Sequence, residues 1–379
     1  MKLFKSLLVA PAALGLLSPM SATANELNLA DFTDYSSSKE VQNISEFNSK
    51  QLTVTNSSVD GLETRINNFE AGSFSETTTA SFSADFAIGS VDGSSDTEAV
   101  TTGYGFQIDL NTSFTGEDSF DVSIDAGNAD DGSLDELDLN DNGDTLAVDG
   151  ISYTFPVGDK LTVFVGDSVD GSSLYNTACV YGGQTDTLDD CGLASSALEE
   201  GSGTAAGASL DVGNGFTAAL GYTGAGSSTS GLSTKEGNDS YGLQLTYTDD
   251  SYGASVTYAS VEGTTDTTYW GLNGYWTPDS AGNAPSISVG YEMGDPAGSA
   301  NDTTQYFVGL QWDEVGPGSL GIALGNNGPI TDGATEYNMY EVFYSYPIND
   351  GMTVTPVIFS KEQSGDDETG FIVKTSFSF

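Results

Sequence analysis

From about Thr77 to the C-terminus, apolar and small polar residues alternate in stretches of roughly eight to twelve positions, each ended by Gly, Asp, Asn or Pro. Tyr104, Phe106, Ile108 and Leu110 alternate with Gly105, Gln107 and Asp109. Phe120, Val122, Ile124 and Ala126 alternate with Asp121, Ser123 and Asp125. The pattern recurs in Tyr241 to Tyr247, Ile287 to Tyr291 and Tyr306 to Trp312, and in the last segment, where Phe371, Val373, Thr375, Phe377 and Phe379 share one face. A period of two is that of a strand with two unlike faces. Strands are predicted to start near residues 77, 99, 118, 150, 160, 204, 215, 240, 251, 267, 284, 304, 318, 335, 350 and 368. Most prolines fall at segment ends; Pro356 lies inside a predicted strand, where a missing donor weakens the assignment.

A greasy face can pack on a second sheet in a soluble sandwich or meet lipid in a membrane barrel. An even count of about sixteen strands, aromatics at segment ends (Trp270, Trp276, Trp312, Tyr340, Tyr346) and the terminal Phe379 favour the barrel. The expected fold is therefore all-β, a closed antiparallel transmembrane barrel. Closure matters because an open edge would leave unpaired backbone groups in hydrocarbon.

The N-terminal part is different. Lys2 and Lys5, the apolar run Leu7 to Leu17 and Ala22-Thr23-Ala24 read as a secretory signal peptide over residues 1–24. Residues 25–76 form a polar segment in which Val59, Leu62, Ile66 and Phe69 predict a short helix with a coiled-coil seam. Residues 77–379 are the expected barrel domain. An isolated helix of that length is marginal in water, so its seam hints at an oligomer.

Composition narrows the chemistry. Nine Lys+Arg against 55 Asp+Glu give a net charge of -46, and the single Arg is Arg65. Nucleic-acid binding, which needs clustered cations, is excluded. There is no His, so Ser-His-Asp triads and HExxH zinc sites are excluded as well, and no cofactor is called for. Aromatics at 11% and hydrophobic residues at 37% set the chain apart from an acidic disordered one.

Cys179 and Cys191 lie in a Gly/Asp-rich stretch of a chain expected to be exported, which suits a loop disulfide better than a redox pair. The acidic run Asp138-Leu139-Asn140-Asp141-Asn142-Gly143-Asp144 matches half of an EF-hand loop, with Asp149 at the twelfth position. No helix pattern flanks it and the last position is Asp, not Glu; a solvated turn is expected, with a Ca²⁺ site at Asp138, Asn140, Asn142 and Asp149 as the lesser alternative.

Several blocks occur in the order found in a known family. They are Leu110-Asn111-Thr112-Ser113-Phe114-Thr115-Gly116 leading to Ala126-Gly127-Asn128, then Asp159-Lys160-Leu161-Thr162-Val163, then Tyr275-Trp276-Thr277-Pro278 leading to Pro285-Ser286-Ile287-Ser288-Val289-Gly290-Tyr291. Through them the chain resembles the carbohydrate-selective (OprB-type) porins, in the branch of marine cyanobacteria. Val59-Asp60-Gly61-Leu62-Glu63-Thr64-Arg65 resembles the end of that branch's coiled coil, whereas residues 25–58 are too short and polar for its S-layer homology domain. The resemblance implies an outer-membrane channel for passive diffusion of ions and small hydrophilic solutes, carbohydrates among them. A homotrimer in outer-membrane lipid is expected, assembled by the barrel assembly machinery through the C-terminal strand.

By the alternation rule Asp85, Asp109, Asp121, Asp125, Glu341 and Lys374 point at the lumen, and an acidic lumen should enrich cations. The long segment Asp167 to Gly203, with Asp186, Asp189 and Asp190, either folds inward as a constriction or lies outside as a lid. The competing reading is a surface-exposed β-rich adhesin or structural envelope protein, against which the absence of a fixed repeat argues.

Overall fold

The computed structural model describes residues 77–93, 99–129, 134–137, 139–140, 142–198, 203–225, 231–234, 237–279, 284–298 and 301–379. The expected signal peptide and short helix lie outside them. In chain order the strands are β1 (Thr78–Asp92), β2 (Thr101–Thr112), β3 (Ser119–Gly127), β4 (Ala147–Val157), β5 (Leu161–Val169), β6 (Gly203–Gly213), β7 (Phe216–Ala225) and β8 (Asn238–Thr248). They continue with β9 (Tyr252–Val261), β10 (Thr267–Trp276), β11 (Ser286–Pro296), β12 (Thr303–Val315), β13 (Gly318–Asn326), the two-residue β14 (Ile330–Thr331), β15 (Asn338–Asn349), β16 (Met352–Lys361) and β17 (Glu368–Ser378).

Every long strand pairs antiparallel with its sequence neighbours, and β1 pairs with both β2 and β17, which closes the sheet. β14 only extends the end of β12, so the barrel has 16 strands. Phe379 completes the closure: its N–H donates to Phe82 O and its carbonyl accepts from Phe82 N, with the two rings stacked at 5.8 Å. No described helix is long and apolar enough to cross a membrane; the strands of the barrel can.

The two faces separate as the alternation demands. Leu220, Leu243, Leu245, Leu272, Val289, Val308, Val342, Ile358 and Phe371 are exposed on the outer face, with Trp270, Trp276, Tyr340 and Tyr346 among them. The residues that alternate with them on the inner face are small or polar on β8 to β11, where Gly242, Gln244, Asn273, Ser288 and Glu292 are buried, and largely apolar on β12 and β15 to β17, where Phe307, Phe343, Val357, Phe359 and Ile372 are buried. Trp312 is half-buried.

Both barrel termini and the tight turns, such as Asn214–Gly215 between β6 and β7, lie at one end, while β3, β5, β7 and β13 run out at the other, where the longer connections begin. At the tight-turn end Asp118 organises the β2–β3 connection. It accepts from Ser113 Oγ, Phe114 N, Thr115 N, Thr115 Oγ1 and the Tyr153 hydroxyl at 2.6–2.9 Å. That hydroxyl, followed by the turn's own donors, holds the Asp118 carboxyl well below the usual carboxylate range.

Pro356 sits inside β16 and has a consistent cost. The β15–β16 ladder pairs Phe343 with Val357 and resumes only at Tyr346 with Val354. Across the gap a side-chain hydrogen bond joins Ser345 Oγ and Thr355 Oγ1 at 3.1 Å.

Candidate functional site

Two connections run along the inner face, and the wall is shaped to receive them. The β5–β6 connection carries the Cys179–Cys191 disulfide and one helical turn, α1 (Asp186–Asp189). Its backbone donors are taken up by inner-face side chains of successive strands. Gly171 N reaches Thr223 Oγ1 on β7, Asn176 N reaches Gln244 on β8, and Ala178 N reaches Ser255 on β9. Val180 N reaches Ser288 on β11, and Gly182 N reaches Gln311 on β12. These bonds satisfy a segment that would otherwise bury unpaired amides.

Glycines of the wall clear the path. A Cβ on Gly290 would lie 1.7 Å from Cys191 O, one on Gly221 2.0 Å from Gly171 O, and one on Gly242 2.1 Å from the Tyr175 hydroxyl. Gly192, with φ +75°, passes Phe307 at a distance only a residue without Cβ tolerates in that conformation.

Buried carboxylates grip the same connection. Glu341 on β15 accepts from the Tyr181 hydroxyl at 2.6 Å and from Gln184 N at 3.1 Å; Glu292 on β11 accepts from Ser196 N at 2.7 Å. Burial, then the Glu341 charge, pushes the Tyr181 hydroxyl far up, so it stays a donor. Glu341 therefore corrects the expectation of a lumen-lining acid. It does sit on the inner face, but it is 0% exposed because the β5–β6 connection covers it.

The β3–β4 connection, expected as a solvated turn over its acidic run, also packs on the inner face through its described residues. Leu134 precedes and Leu137 closes a 3₁₀ turn over Asp135–Leu137, and with Ala129 they join Val91, Leu188, Phe307, Phe343, Phe359 and Ile372 in one buried apolar cluster. Gly103 and Gly127 seat it, since a Cβ would meet Ala129 Cα at 2.6 Å and Asn140 O at 1.8 Å. Glu136 links everything: its carboxylate pairs with Lys361 Nζ on β16 and accepts from Thr187 N at 3.4 Å and Thr187 Oγ1 at 3.2 Å. A core made of two connections and the β12–β1 wall thus occupies one side of the lumen.

A cleft of about 320 Å³ lies against the β3–β5 wall, lined by Asp121, Ser123, Asp149, Ser152, Asp170 and Ser173, among others. Asp109 Oδ1 accepts from Gln107 Nε2 and Ser123 Oγ, both at 2.7 Å, and Asp121 accepts from Asn111 Nδ2 and Ser119 Oγ. Asp125 accepts from Asn142 Nδ2 at 3.1 Å, and Asp85 accepts from Ser376 Oγ. Lys374 is half-buried on β17, in register with Ala87 and Thr355. Asp186 and Asp189 are exposed on α1, on the side away from buried Leu188, and Asp190 is half-buried.

Asp170, which the sequence reading did not single out, is pushed up to about 6 by burial first and then by the charges of Asp149 and Asp190. Its only sequence signal is its place, an acid directly after β5 where the long connection begins. Of the half EF-hand, Asp138 lies outside the described residues. The Asn140 amide donates to Phe106 O, Asn142 is held by Gly127 N and Asp125, and Asp149 lies on β4 in the acidic cleft. Among the described residues no group of three His, Cys, Asp or Glu side chains could hold a metal ion.

No family model and no curated protein matches the sequence. Solved structures do. OprB of Pseudomonas putida superposes with a TM-score of 0.60 at 10% identity, covering 80% of this chain and 94% of that one. An anion-selective porin from Comamonas acidovorans gives 0.57 at 12% identity, covering 80% and 99%. A loop-deletion mutant of OmpT, an outer membrane protein of Vibrio cholerae, gives 0.54 at 12% identity, covering 80% and 100%. At these identities the likeness establishes the fold: residues 77–379 form a barrel of the architecture these porins have.

Proposed function

We propose that the protein is an outer-membrane porin whose narrowed, acidic lumen passes ions and small hydrophilic solutes passively, with a preference for cations. The carrying observation is the cleft between the β5–β6 connection and the β3–β5 wall, where Asp121, Asp149 and Asp170 converge. A water-filled constriction with one sign of charge enriches the opposite ion. The supply of opposing charge is small. Lys361 is paired with Glu136, and Lys160 lies in the β4–β5 turn, which leaves Lys374 as the described cation on the inner face.

The apolar outer face supports a place in outer-membrane lipid, reached through the expected signal peptide, and Phe379 at the barrel seam supports assembly through the C-terminal strand. A homotrimer and passage of carbohydrates extend the family resemblance, and neither role requires a cofactor or a catalytic centre. The Comamonas acidovorans porin is anion-selective; the acids of this lumen lead to the opposite preference here.

The test is the reversal potential of the purified protein in a planar bilayer under a salt gradient. Stepwise conductance with a cation-selective reversal potential is expected. Anion preference would overturn the role of the lumen acids, and silent, folded protein would favour the surface adhesin. Replacing Asp109, Asp121 and Asp125 together by Asn should reduce the preference. A single-barrel mass by light scattering in detergent would sink the trimer.

A further inference from the structure

We propose that Glu136 is the positioning residue that fixes the width of the passage, by tying the β3–β4 and β5–β6 connections to each other and to the wall. The inference rests on the porin reading above. Among the described residues, Asp135, Glu136 and Asp144 lie on the first connection and Asp170, Asp186, Asp189 and Asp190 on the second. Two acidic segments side by side repel each other. Something must offset it where they meet, and the meeting point is Glu136.

The Glu136 carboxylate is 6% exposed and spends both oxygens on bonds that cross elements. Oε1 takes the ammonium of Lys361, at the end of β16, and the hydroxyl of Thr187 on α1; Oε2 takes the Thr187 amide. One side chain thus joins the β3–β4 connection, the β5–β6 connection and the barrel wall. Leu134 and Leu137 on either side and Leu188 beside Thr187 are at most 4% exposed, so the Glu136 end of the pair is held within an apolar cluster, while the Lys361 side chain keeps 23% of its surface exposed. A pair so enclosed contributes position more than net stability, since the cost of drying two charges offsets much of their attraction. Removing Lys361 leaves Glu136 buried without its cation, and removing the Glu136 charge leaves Lys361 only the more distant Asp135 and Glu368; in both cases the relief is for the β3–β4 connection to lift away from α1. Glu136 is not among the residues that line the acidic cleft.

The test compares Glu136→Gln and Lys361→Met with the parent, all as the full exported chain folded in detergent. In bilayers each variant should raise single-channel conductance by about twofold and admit larger neutral polymers, because a loosened connection widens the lumen. The double variant should do no more than either single one, since both remove the same tie. Hydrogen exchange is read in parallel: peptides spanning Leu134–Leu137 and Thr185–Asp190 should lose protection while the strands keep theirs. A folded Glu136→Gln protein with unchanged exchange and unchanged polymer cut-off would overturn the proposal. If the parent does not conduct, the porin reading fails, and the exchange data alone decide whether Glu136 is the tie.

Discussion

Asp170 shows how a single carboxyl can carry both a cost and a function. Its folded pKa of about 6 is raised by burial and by Asp149 and Asp190, above the 3.8 of a free Asp. Between those values the folded chain holds a proton that the unfolded chain has lost, so this group's contribution to stability falls as pH rises through that window and stays low above it. Asp170→Asn should therefore raise the unfolding temperature at pH 8 and leave it unchanged at pH 3, as read by circular dichroism in detergent. If the proposed filter is correct, cation preference should also weaken from pH 8 to pH 5 in the parent and much less in Asp170→Asn. Glu341 is the opposite case, since it serves packing. Glu341→Ala strips an acceptor from the Tyr181 hydroxyl and Gln184 N, and about 1–3 kcal/mol of destabilisation is expected for the donors left buried. A chemical denaturation midpoint equal to the parent's would contradict this.

At the scale of elements, the strands were legible and the connections were not. The period of two located every long strand to within a few residues. The largest discrepancies are β4, which starts at Ala147, not near 150, and β15, which starts at Asn338 where residue 335 was expected. Strand faces are written locally, because each residue's neighbours two positions away share its surroundings. Whether a connection folds inward is decided elsewhere, by a hydroxyl on β9, a carboxylate on β15 or a missing Cβ on β11. Asp186 on an inserted turn and Asp366 on an exposed one look alike in sequence. The glycines are the signal that could have been read, since several recur on the polar face of strands that otherwise carry hydroxyls and amides. Gly290→Val should displace the β5–β6 connection and raise conductance, because its Cβ would overlap Cys191 O. Gly274→Ala on β10, where the nearest atom is 3.4 Å away, should change neither conductance nor stability.

For the whole molecule, the outer face sets the solvent. Trp270 and Trp276 stand six residues apart on β10, about 20 Å along a strand, which with neighbouring aliphatics matches the apolar band of a membrane barrel. An Arg replacing Leu243, exposed on β8, should cost about 2–4 kcal/mol in lipid, measured by unfolding in bilayers. A soluble adhesin would show no such penalty. The acids and cations sort by the same geometry: Asp121 and Asp170 line the cleft at the β3–β5 wall, and Lys361 pairs with Glu136 beside the apolar cluster.

The interruption at Pro356 has a mechanical meaning. A barrel under load parts where its ladder carries the fewest rungs, and between Phe343 and Tyr346 the β15–β16 rungs are replaced by a hydroxyl pair. Drawn from Phe379, the β16–β17 hairpin should peel away as one piece along that seam, much as a perforated edge tears before the sheet does.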